Sequence, residues 1–391
     1  MPGSEPQDKR LRVVLLSSGL GYTLRGIEIW MLELARHLPD ELAVELWSGG
    51  KLDPVKGRTD ICLHGINRDS RGLRGFSWGR RYEWEQLSML PMALFHLFWR
   101  RRDVVYCGDP VLSWHLKRFR RWHKARIIFM NGIRLSAKWA QSFDGVHLLA
   151  PPYLNAARAD LPGTRLDYFF AIPHFVDVER FHPPTPQERL DARLRHGLNP
   201  DDFVILNVGP IGTASRKRLD HLIREMGKLT GRGVLVNAGD TEEGSGEVLS
   251  VARELGPERV RFLGRIDREQ MASLYHIADM YSLAALDEPF SIAILEALSS
   301  GLPVLHHGNE VTQWVTGPGG VTVDMTQPGR ASASIAYLRD HPEEVHSVGQ
   351  GARDLALQRY HPRQVCQDLC QAIQRIAGSR HSGRERRGGR G

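Results

Sequence analysis

The chain is poor in cysteine and has no long apolar run. These two features limit the classes of protein to which it can belong. Its four cysteines among 391 residues have neither the spacing of a metal site nor that of a disulfide framework. The start of the chain is polar, and the apolar run Leu11 to Ser18 is too short for a secretory signal. Leu87 to Trp99 is too short to span a bilayer. We therefore expect a cytoplasmic protein that is not integral to a membrane.

The chain also lacks a complete dinucleotide fingerprint. Leu11 to Leu16 predicts a buried strand, Gly19-x-Gly21 a glycine turn, and the apolar spacing from about Gly26 a helix, which together make a Rossmann-like opening. The third glycine is missing at the required offset, and no acidic residue clearly ends a second strand. We therefore expect neither a nicotinamide nor a flavin, and no tightly bound cofactor.

Basic residues exceed acidic ones, with a net charge of +7 and a pI near 9.4. Part of the excess lies in the Arg- and Gly-rich tail 379–391, which predicts disorder. A second basic run, within 99–126, is mixed with aromatic residues. Such a run is compatible with a solvated helix surface, with peripheral contact to an anionic membrane, or with binding along nucleic acid.

Strand and helix patterns alternate along the chain, and Pro183 to Pro186 forms its stiffest break. The length suffices for two domains of ordinary size. The predicted organisation is a disordered N-terminus (1–10), an N-terminal Rossmann-like domain (11–183), a C-terminal Rossmann-like domain (184–360), a further helix (361–378) and a disordered basic tail (379–391).

The most informative stretch is EPFSIAILEALSSGLPV, which begins at Glu288. Its apolar run predicts a buried helix from Ile292 that Gly301 and the following proline terminate. A buried carboxylate such as Glu296 needs a polar partner. The free N–H groups of the first turn form an anion site between the two glutamates. One ligand that carries hydroxyls on both sides of a phosphate would suit all three features.

Two glutamates separated by seven residues, in this setting, resemble the mark of the retaining GT-B glycosyltransferases of the family 4 type. The resemblance implies that Glu288 meets the donor hexose and that Glu296 binds the nucleotide ribose. It further implies that the intervening backbone holds the diphosphate, here at Phe290, Ser291 and Ile292.

Other segments resemble the same family with departures. Arg216 and Lys217 match a basic pair that neutralises the donor diphosphate, while Pro210 stands where an arginine is usual, so Arg216 or Arg218 would have to replace that cation. The strand tip at Arg265 and Ile266 matches the segment that binds the nucleotide base.

In the N-terminal half, Gly26 matches one residue of a glycine pair that approaches the diphosphate or the acceptor. Asn131 stands where many relatives have a histidine near the reaction centre. Asparagine forms hydrogen bonds but does not titrate, so we assign no general base there.

The resemblance implies an α/β protein of the GT-B class, with two Rossmann-like domains facing a central cleft and a C-terminal helix crossing back to the first domain. It implies transfer of a hexosyl unit from a nucleotide-diphospho-sugar to a hydroxyl of a glycan, lipid or small molecule, with retention of configuration, in carbohydrate biosynthesis. Because no Asp-x-Asp follows a strand, we expect no metal requirement. The alternatives are a glycan phosphorylase, a sugar epimerase, or a basic nucleic-acid-binding protein.

Overall fold

The computed structural model describes residues 10–379 except residues 24, 133 and 214. The predicted disordered segments therefore lie almost wholly outside the described residues. The chain divides into two compact units. The first comprises the described residues up to Leu148, Ala157–Ile172 and those from Cys366 onward, and the second comprises Leu149–Ala156 and Pro173–Val365.

The first unit is built on a seven-stranded parallel sheet in the order β3-β2-β1-β4-β5-β6-β7. Its central strands are continuous apolar runs because helices cover both faces of a parallel sheet. Val13 to Leu16, for example, are fully buried. The strands are β1 (Leu11–Ser17), β2 (Leu42–Ser48), β3 (Thr59–Cys62), β4 (Val104–Cys107), β5 (Arg126–Met130), β6 (Gly145–Leu148) and β7 (Phe169–Ala171).

Among the described residues, six α-helices lie between these strands along the chain: α1 (Gly26–His37), α2 (Trp78–Trp99), α3 (Pro110–Arg118), α4 (Arg120–His123), α5 (Ala137–Ala140) and α6 (Pro151–Asp160), the last of which belongs to the second unit up to Ala156. The last helix of the chain is α15 (Pro362–Gly378). Its Ile376 side chain packs beside Gly145, where an added Cβ would lie 3.2 Å from Cγ1 of Ile376. The C-terminal helix therefore returns to the first unit, as predicted.

The second unit contains a six-stranded parallel sheet in the order β10-β9-β8-β11-β12-β13. The strands are β8 (Val204–Val208), β9 (Val234–Ala238), β10 (Val260–Phe262), β11 (Met280–Leu283), β12 (Val304–His307) and β13 (Gly320–Val323). The helices are α7 (Pro186–Arg195), α8 (Leu219–Lys228), α9 (Ser245–Leu255), α10 (Met271–Tyr275), α11 (Ile292–Ser299), α12 (Glu310–Thr316), α13 (Arg330–Asp340) and α14 (Pro342–Arg359). The prediction of two Rossmann-like α/β domains is confirmed.

Helix α10 is shorter than the sequence pattern indicates. The apolar spacing favours a helix from Met271 to Met280. The helix ends at Tyr275. Beyond it, Ile277 and Ala278 form turn hydrogen bonds to the third residue before them, 3.3 Å each. Asp279 then donates its N–H to Val204, 2.9 Å, and begins the approach to β11. Pairing with the sheet thus overrides the local helical pattern.

Strand order reverses once in each sheet, between β1 and β4 in the first and between β8 and β11 in the second. In open parallel sheets, the crevice outside the carboxyl ends of the strands at such a switch point is the usual ligand site. The loops that follow these four strands are therefore the places to look for function.

Candidate active site

An ion pair joins the two loops at the switch point of the second sheet. Lys217 lies in the loop after β8 and Glu288 in the loop after β11. The Lys217 Nζ donates to Glu288 Oε2 at 2.6 Å, and the two side chains are 22% and 11% exposed. The structure thus brings together two residues that the sequence analysis assigned to one site, 71 positions apart.

Helix α11 begins directly after Glu288. Ser291 is its N-cap residue, in extended conformation, and its side chain does not cap the helix. The first hydrogen bond of the helix runs from Leu295 N–H to the Ser291 carbonyl, 3.4 Å. The N–H groups of Ile292 and the next two residues therefore have no partner within the helix. Partial positive charge from these groups adds to that of Lys217 beside them.

A hydrogen bond from a tyrosine and a contact between two rings hold the loop that carries Glu288. The Tyr153 hydroxyl donates to the Pro289 carbonyl at 2.5 Å. The His174 ring packs edge-on against Phe290 with 5.1 Å between ring centroids. The sequence analysis did not identify Tyr153, because this residue lies in α6, far in sequence from the Glu288 motif and outside the segments that resemble the family.

Glu296 lies two turns into α11 and is 6% exposed. Its Oε2 accepts a hydrogen bond of 2.7 Å from the hydroxyl of the fully buried Tyr275 on α10. Burial, and next the charge of Glu296, raise the pKa of Tyr275 well above its usual value, so the phenol remains a donor. The polar partner that the sequence analysis required for Glu296 is therefore, at least in part, a residue of the chain itself.

The two glutamates act on one common neighbour. Burial raises the pKa of Tyr281 on β11, and the carboxylates of Glu288 and Glu296 raise it further. Tyr281 is completely buried. Both carboxylates therefore lie near enough to Tyr281 to act on its phenol, which stays neutral.

The three basic residues before α8 have different roles. They lie in the loop before α8, which begins only at Leu219. Arg216 is exposed. Arg218 adopts a left-handed backbone, φ 51°, and its Nη1 donates to the Met325 carbonyl at 3.1 Å. Arg218 is thereby engaged with backbone, which leaves Arg216 as the better second cation for a ligand.

Two asparagines are buried side by side under the same edge of the sheet. Asn237 Nδ2 donates to Asn207 Oδ1 at 3.0 Å, and Asn207 Nδ2 donates to the Ser282 carbonyl at 2.8 Å. They fix the ends of β8, β9 and β11 relative to one another. Just beyond them, a Cβ on Gly239 would lie 2.0 Å from the Gly209 carbonyl oxygen, so these turns approach closely only because Gly239 has no side chain. An asparagine inside each of two apolar strands was the signal that sequence reasoning passed over.

Arg265 and Ile266 follow β10 at the outer end of this sheet. Arg265 is largely exposed and lies 3.8 Å from Asp240. Ile266 is partly buried against the apolar core of the unit. Gly264 before them has a positive φ of 68°, which turns the chain sharply at the strand end.

Gly26 and Asn131 belong to the first unit. Gly26 is exposed at the first position of α1, and among the described residues no atom outside its chain neighbours and its own helix backbone lies within 4 Å of where its Cβ would be. Asn131 is buried, and its amide binds the backbone of Leu135 twice: Nδ2 donates to the carbonyl at 2.8 Å and Oδ1 accepts from the N–H at 2.7 Å. The Asn131 side chain thus shapes the loop after β5.

The switch point of the first sheet is closed by a carboxylate of the chain. Asp109, after β4, is 1% exposed and its Oδ2 accepts the N–H of Ser18, after β1, at 2.5 Å. Its Oδ1 accepts from the Tyr82 hydroxyl at 2.7 Å. Burial raises the pKa of Asp109, although these two donors oppose the shift.

A buried arginine and two further carboxyls lie beside Asp109. The Arg68 side chain binds Glu85 through two hydrogen bonds, 2.9 Å from Nε and 2.6 Å from Nη2, and its Nη2 lies 3.6 Å from Oε1 of Glu28. Burial raises the pKa of Glu28 to about 7. Its Oε2 has no hydrogen-bond partner among the described residues. Since one arginine faces three acids, this cluster has excess acidic groups in a dry setting.

Among the described residues, no three His, Cys, Asp or Glu side chains converge as metal ligands.

The second unit can be assigned to a family. Residues 188–355 match the family described as glycosyl transferases group 1. The second unit belongs to the glycosyl transferases group 1 family. Lys217, Glu288 and helix α11 all lie inside the matched range.

Two curated relatives match parts of the chain. The D-inositol 3-phosphate glycosyltransferase 2 of Catenulispora acidiphila is 31% identical over 191 residues, which cover 45% of this chain and 44% of that protein. The alpha-galactosylglucosyldiacylglycerol synthase of Streptococcus pneumoniae is 30% identical over 154 residues, 38% of this chain and 39% of that protein. The chain thus spans less than half the length of these relatives.

Solved structures match nearly the whole chain. Sucrose-phosphate synthase from Thermosynechococcus elongatus superposes with a TM-score of 0.77 at 15% identity, over 94% of this chain and 99% of that one. Anabaena HepE in complex with UDP-glucose superposes with a TM-score of 0.71 at 14% identity, over 94% and 100%. At this identity the likeness concerns the fold, and it confirms the predicted GT-B class.

Proposed function

We propose that the second unit binds a nucleotide-diphospho-sugar and that the chain transfers its hexosyl unit to an acceptor hydroxyl with retention of configuration. The observation that carries the proposal is the Lys217–Glu288 pair at a sheet switch point, directly before a helix N-terminus. A cation, a carboxylate and free N–H groups side by side suit a ligand with anionic phosphate next to neutral hydroxyls.

The pair suggests how the ligand would enter. At 2.6 Å the ammonium and the carboxylate neutralise each other. A diphosphate carries more negative charge than one carboxylate, so Lys217 would turn to it, together with Arg216 and the N–H groups at Phe290, Ser291 and Ile292. Glu288 would then accept hydrogen bonds from the hexose hydroxyls, and Glu296, held by Tyr275, would accept from the ribose.

The chemical step proposed is a front-face displacement. The bond from the anomeric carbon to the phosphate oxygen breaks as the bond to the acceptor oxygen forms, and the acceptor proton passes to the departing phosphate. This step needs no protein base, in agreement with the non-titrating Asn131. Lys217, Arg216 and the helix N-terminus would balance the departing charge without a metal ion. Gly26 and Asn131 would serve the acceptor side, and Arg265 with Ile266 the base.

The relatives support an acceptor hydroxyl without fixing its identity. One is named for D-inositol 3-phosphate and the other as a diacylglycerol glycolipid synthase. Membership of the family 4 type and a cytoplasmic location, with peripheral contact to an anionic membrane through residues 99–126, complete the proposal.

The test is a panel of UDP-, GDP-, ADP- and TDP-sugars, measured by thermal stabilisation and by slow hydrolysis, with the anomeric configuration of products read by NMR. We expect one base to stabilise the protein and to release a sugar of retained configuration. Stabilisation by inorganic phosphate with a saccharide, and none by nucleotides, would instead identify a phosphorylase. Salt-sensitive RNA or DNA binding without any response to nucleotide sugars would favour the nucleic-acid alternative.

A further inference from the structure

One face of the first unit exposes an unusual number of large apolar side chains. On α2, Trp84, Met92, Phe95, Phe98 and Trp99 are each 39–76% exposed. At 100° per residue these five positions fall within about 120° of the helix circumference. The opposite side of α2, with Met89, Ala93 and Leu97, is buried. Helix α2 therefore presents an apolar stripe to solvent in addition to its core stripe, which a surface helix of a monomer does not need.

Neighbouring helices extend this surface. Helices α3 and α4 pack against α2. Trp114 on α3 is 42% exposed and Trp122 on α4 is 65% exposed. We call these seven residues on α2, α3 and α4 the aromatic face. Tryptophan combines a large apolar body with an N–H donor, and it is the residue that membrane interfaces favour.

A basic depression is lined in part by residues that closely follow the two most exposed tryptophans in sequence. Its volume is about 460 Å³, and Arg101, Arg102, Lys124 and Arg126 contribute to its lining. Arg101 and Arg102 follow Trp99 within three residues, and Lys124 follows Trp122 by two. We call this the basic depression.

Two cations of the depression are suited to an external anion. Arg101 is 86% exposed and its nearest carboxylate, Asp103, lies 3.7 Å away. Lys124 is exposed. Arg102, by contrast, is buried against Glu45 at 2.9 Å, although its Nε has no hydrogen-bond partner among the described residues. Arg101 and Lys124 are therefore exposed to an external anion, whereas Arg102 is held in place by Glu45.

We propose that the aromatic face and the basic depression form one docking site for an anionic lipid bilayer, with the apolar side chains in the interface and a headgroup phosphate in the depression. This deepens the membrane contact suggested above, but it does not depend on glycosyl transfer. Basic residues at the edge of an apolar helix surface reach the headgroups while the rings remain in the acyl boundary. No helix among the described residues has the length and apolar character to cross a bilayer.

The arrangement favours lipid over nucleic acid. Residues 82–99 contain no lysine or arginine, so most of the apolar stripe has no cation to meet a phosphate backbone. Phe95 and Trp99 stack on each other, 5.7 Å between centroids at 25°, and are not spread out as separate platforms for bases. On α2, the apolar stripe is thus separate in sequence from the cations of residues 100–126, as expected for a helix that lies at a membrane surface.

The test is flotation of the full chain with vesicles of phosphatidylcholine alone or with about one third phosphatidylglycerol. Two double variants are compared, Trp99→Ser with Trp122→Ser, and Arg101→Glu with Lys124→Glu. The matched controls lie in the second unit: Tyr337→Ser, 53% exposed, and Arg224→Glu with Arg253→Glu, both exposed. Circular dichroism and thermal unfolding show whether each variant is folded.

We expect anionic vesicles to bind the wild type at least tenfold more tightly than neutral ones, and each double variant to lose about tenfold or more, with the controls unchanged. Equal binding to both vesicle types, or either double variant binding like the wild type, would overturn the proposal. So would a wild type that dimerises and ignores vesicles while the tryptophan variant is monomeric, or tight RNA binding that the same variants abolish.

Discussion

The two parallel sheets have switch points of the same topology that differ in how their charges are satisfied. In the second unit, Lys217 and Glu288 face each other across the crevice in a partly exposed pair that a ligand could exchange. In the first unit, Asp109 is buried and accepts the N–H of Ser18, in the place where dinucleotide-binding folds put a phosphate. The second-unit crevice keeps a partly exposed ion pair, whereas the first-unit crevice uses its buried carboxylates to bind groups of the chain itself.

The difference teaches that the strand order alone does not create a nucleotide site. An anion site needs unpaired N–H groups and cations, and the first crevice has filled its own with the carboxylates of Asp109 and Glu85. The glycosyl transferases group 1 match lies wholly in the second unit.

The largest expected effect concerns the open crevice. Glu288→Ala should lower the transfer rate by about 10²-fold or more, because the proposed hexose contact is lost in the transition state. Nucleoside diphosphate binding should persist, since Lys217 is then free for phosphate. Rates with a saturating donor and calorimetric titration check both. Glu254→Ala, an exposed glutamate on α9, is the control; equal turnover in the two variants would remove the proposed role of Glu288.

Substitution of Asp109, at the switch point of the first sheet, should lower the free energy of unfolding. Asp109→Ala leaves the Ser18 N–H and the Tyr82 hydroxyl without their acceptor, which should cost about 2–3 kcal/mol of unfolding free energy. Asp109→Asn retains an acceptor oxygen and should lose about 1 kcal/mol. Denaturant unfolding measures both. Donor affinity should be unchanged in whichever variant folds, and a large loss of nucleotide affinity in Asp109→Asn would contradict the contrast between the crevices.

Lys217→Ala should weaken nucleoside diphosphate binding by about 10- to 50-fold, as expected for loss of a charge-assisted hydrogen bond to phosphate. Arg224→Ala removes an exposed cation from the following helix and should leave the dissociation constant as it is. Titration with the nucleoside diphosphate and with the nucleoside separates the two effects. If Lys217 served only the ion pair with Glu288, Lys217→Ala would change the dissociation constant of neither the nucleoside diphosphate nor the nucleoside.

A further expected effect is a pH dependence of stability in the first unit. Because the pKa of Glu28 is raised to about 7 in the folded chain from 4.5, the folded state binds the proton more tightly and loses stability as pH rises through 7. Glu28→Gln should abolish this, so the stability of the variant relative to wild type should rise by about 2 kcal/mol between pH 5 and 8.5. An equal difference in unfolding free energy between Glu28→Gln and the wild type at pH 5 and at pH 8.5 would contradict the raised pKa of Glu28.

Much of the fold follows from the sequence, because apolar runs such as Leu11–Ser17 and Arg126–Met130 read directly as strands of a covered parallel sheet. Element ends are less predictable where sheet pairing competes with helix propensity, as in the early end of α10. The short β3, with no fully buried residue, also gives little apolar signal.

The candidate site divides in the same way. Lys217, Glu288 and α11 were identified from local motifs, since each motif lies in one continuous segment. Tyr153, Tyr275 and the Asn207–Asn237 pair were missed because their roles come from contacts between segments distant in sequence. The first-unit cluster of Arg68, Glu85 and Asp109 is likewise assembled from three segments, and no spacing reveals it.

The most direct test is a crystal structure of the protein with the nucleotide sugar that stabilises it. We predict the diphosphate at the N–H groups of Phe290 to Ile292 with Lys217 Nζ turned onto a phosphate oxygen, and the Glu288 carboxylate within hydrogen-bond distance of a hexose hydroxyl. A donor bound elsewhere, with the Lys217–Glu288 pair intact beside an empty helix terminus, would contradict the assignment.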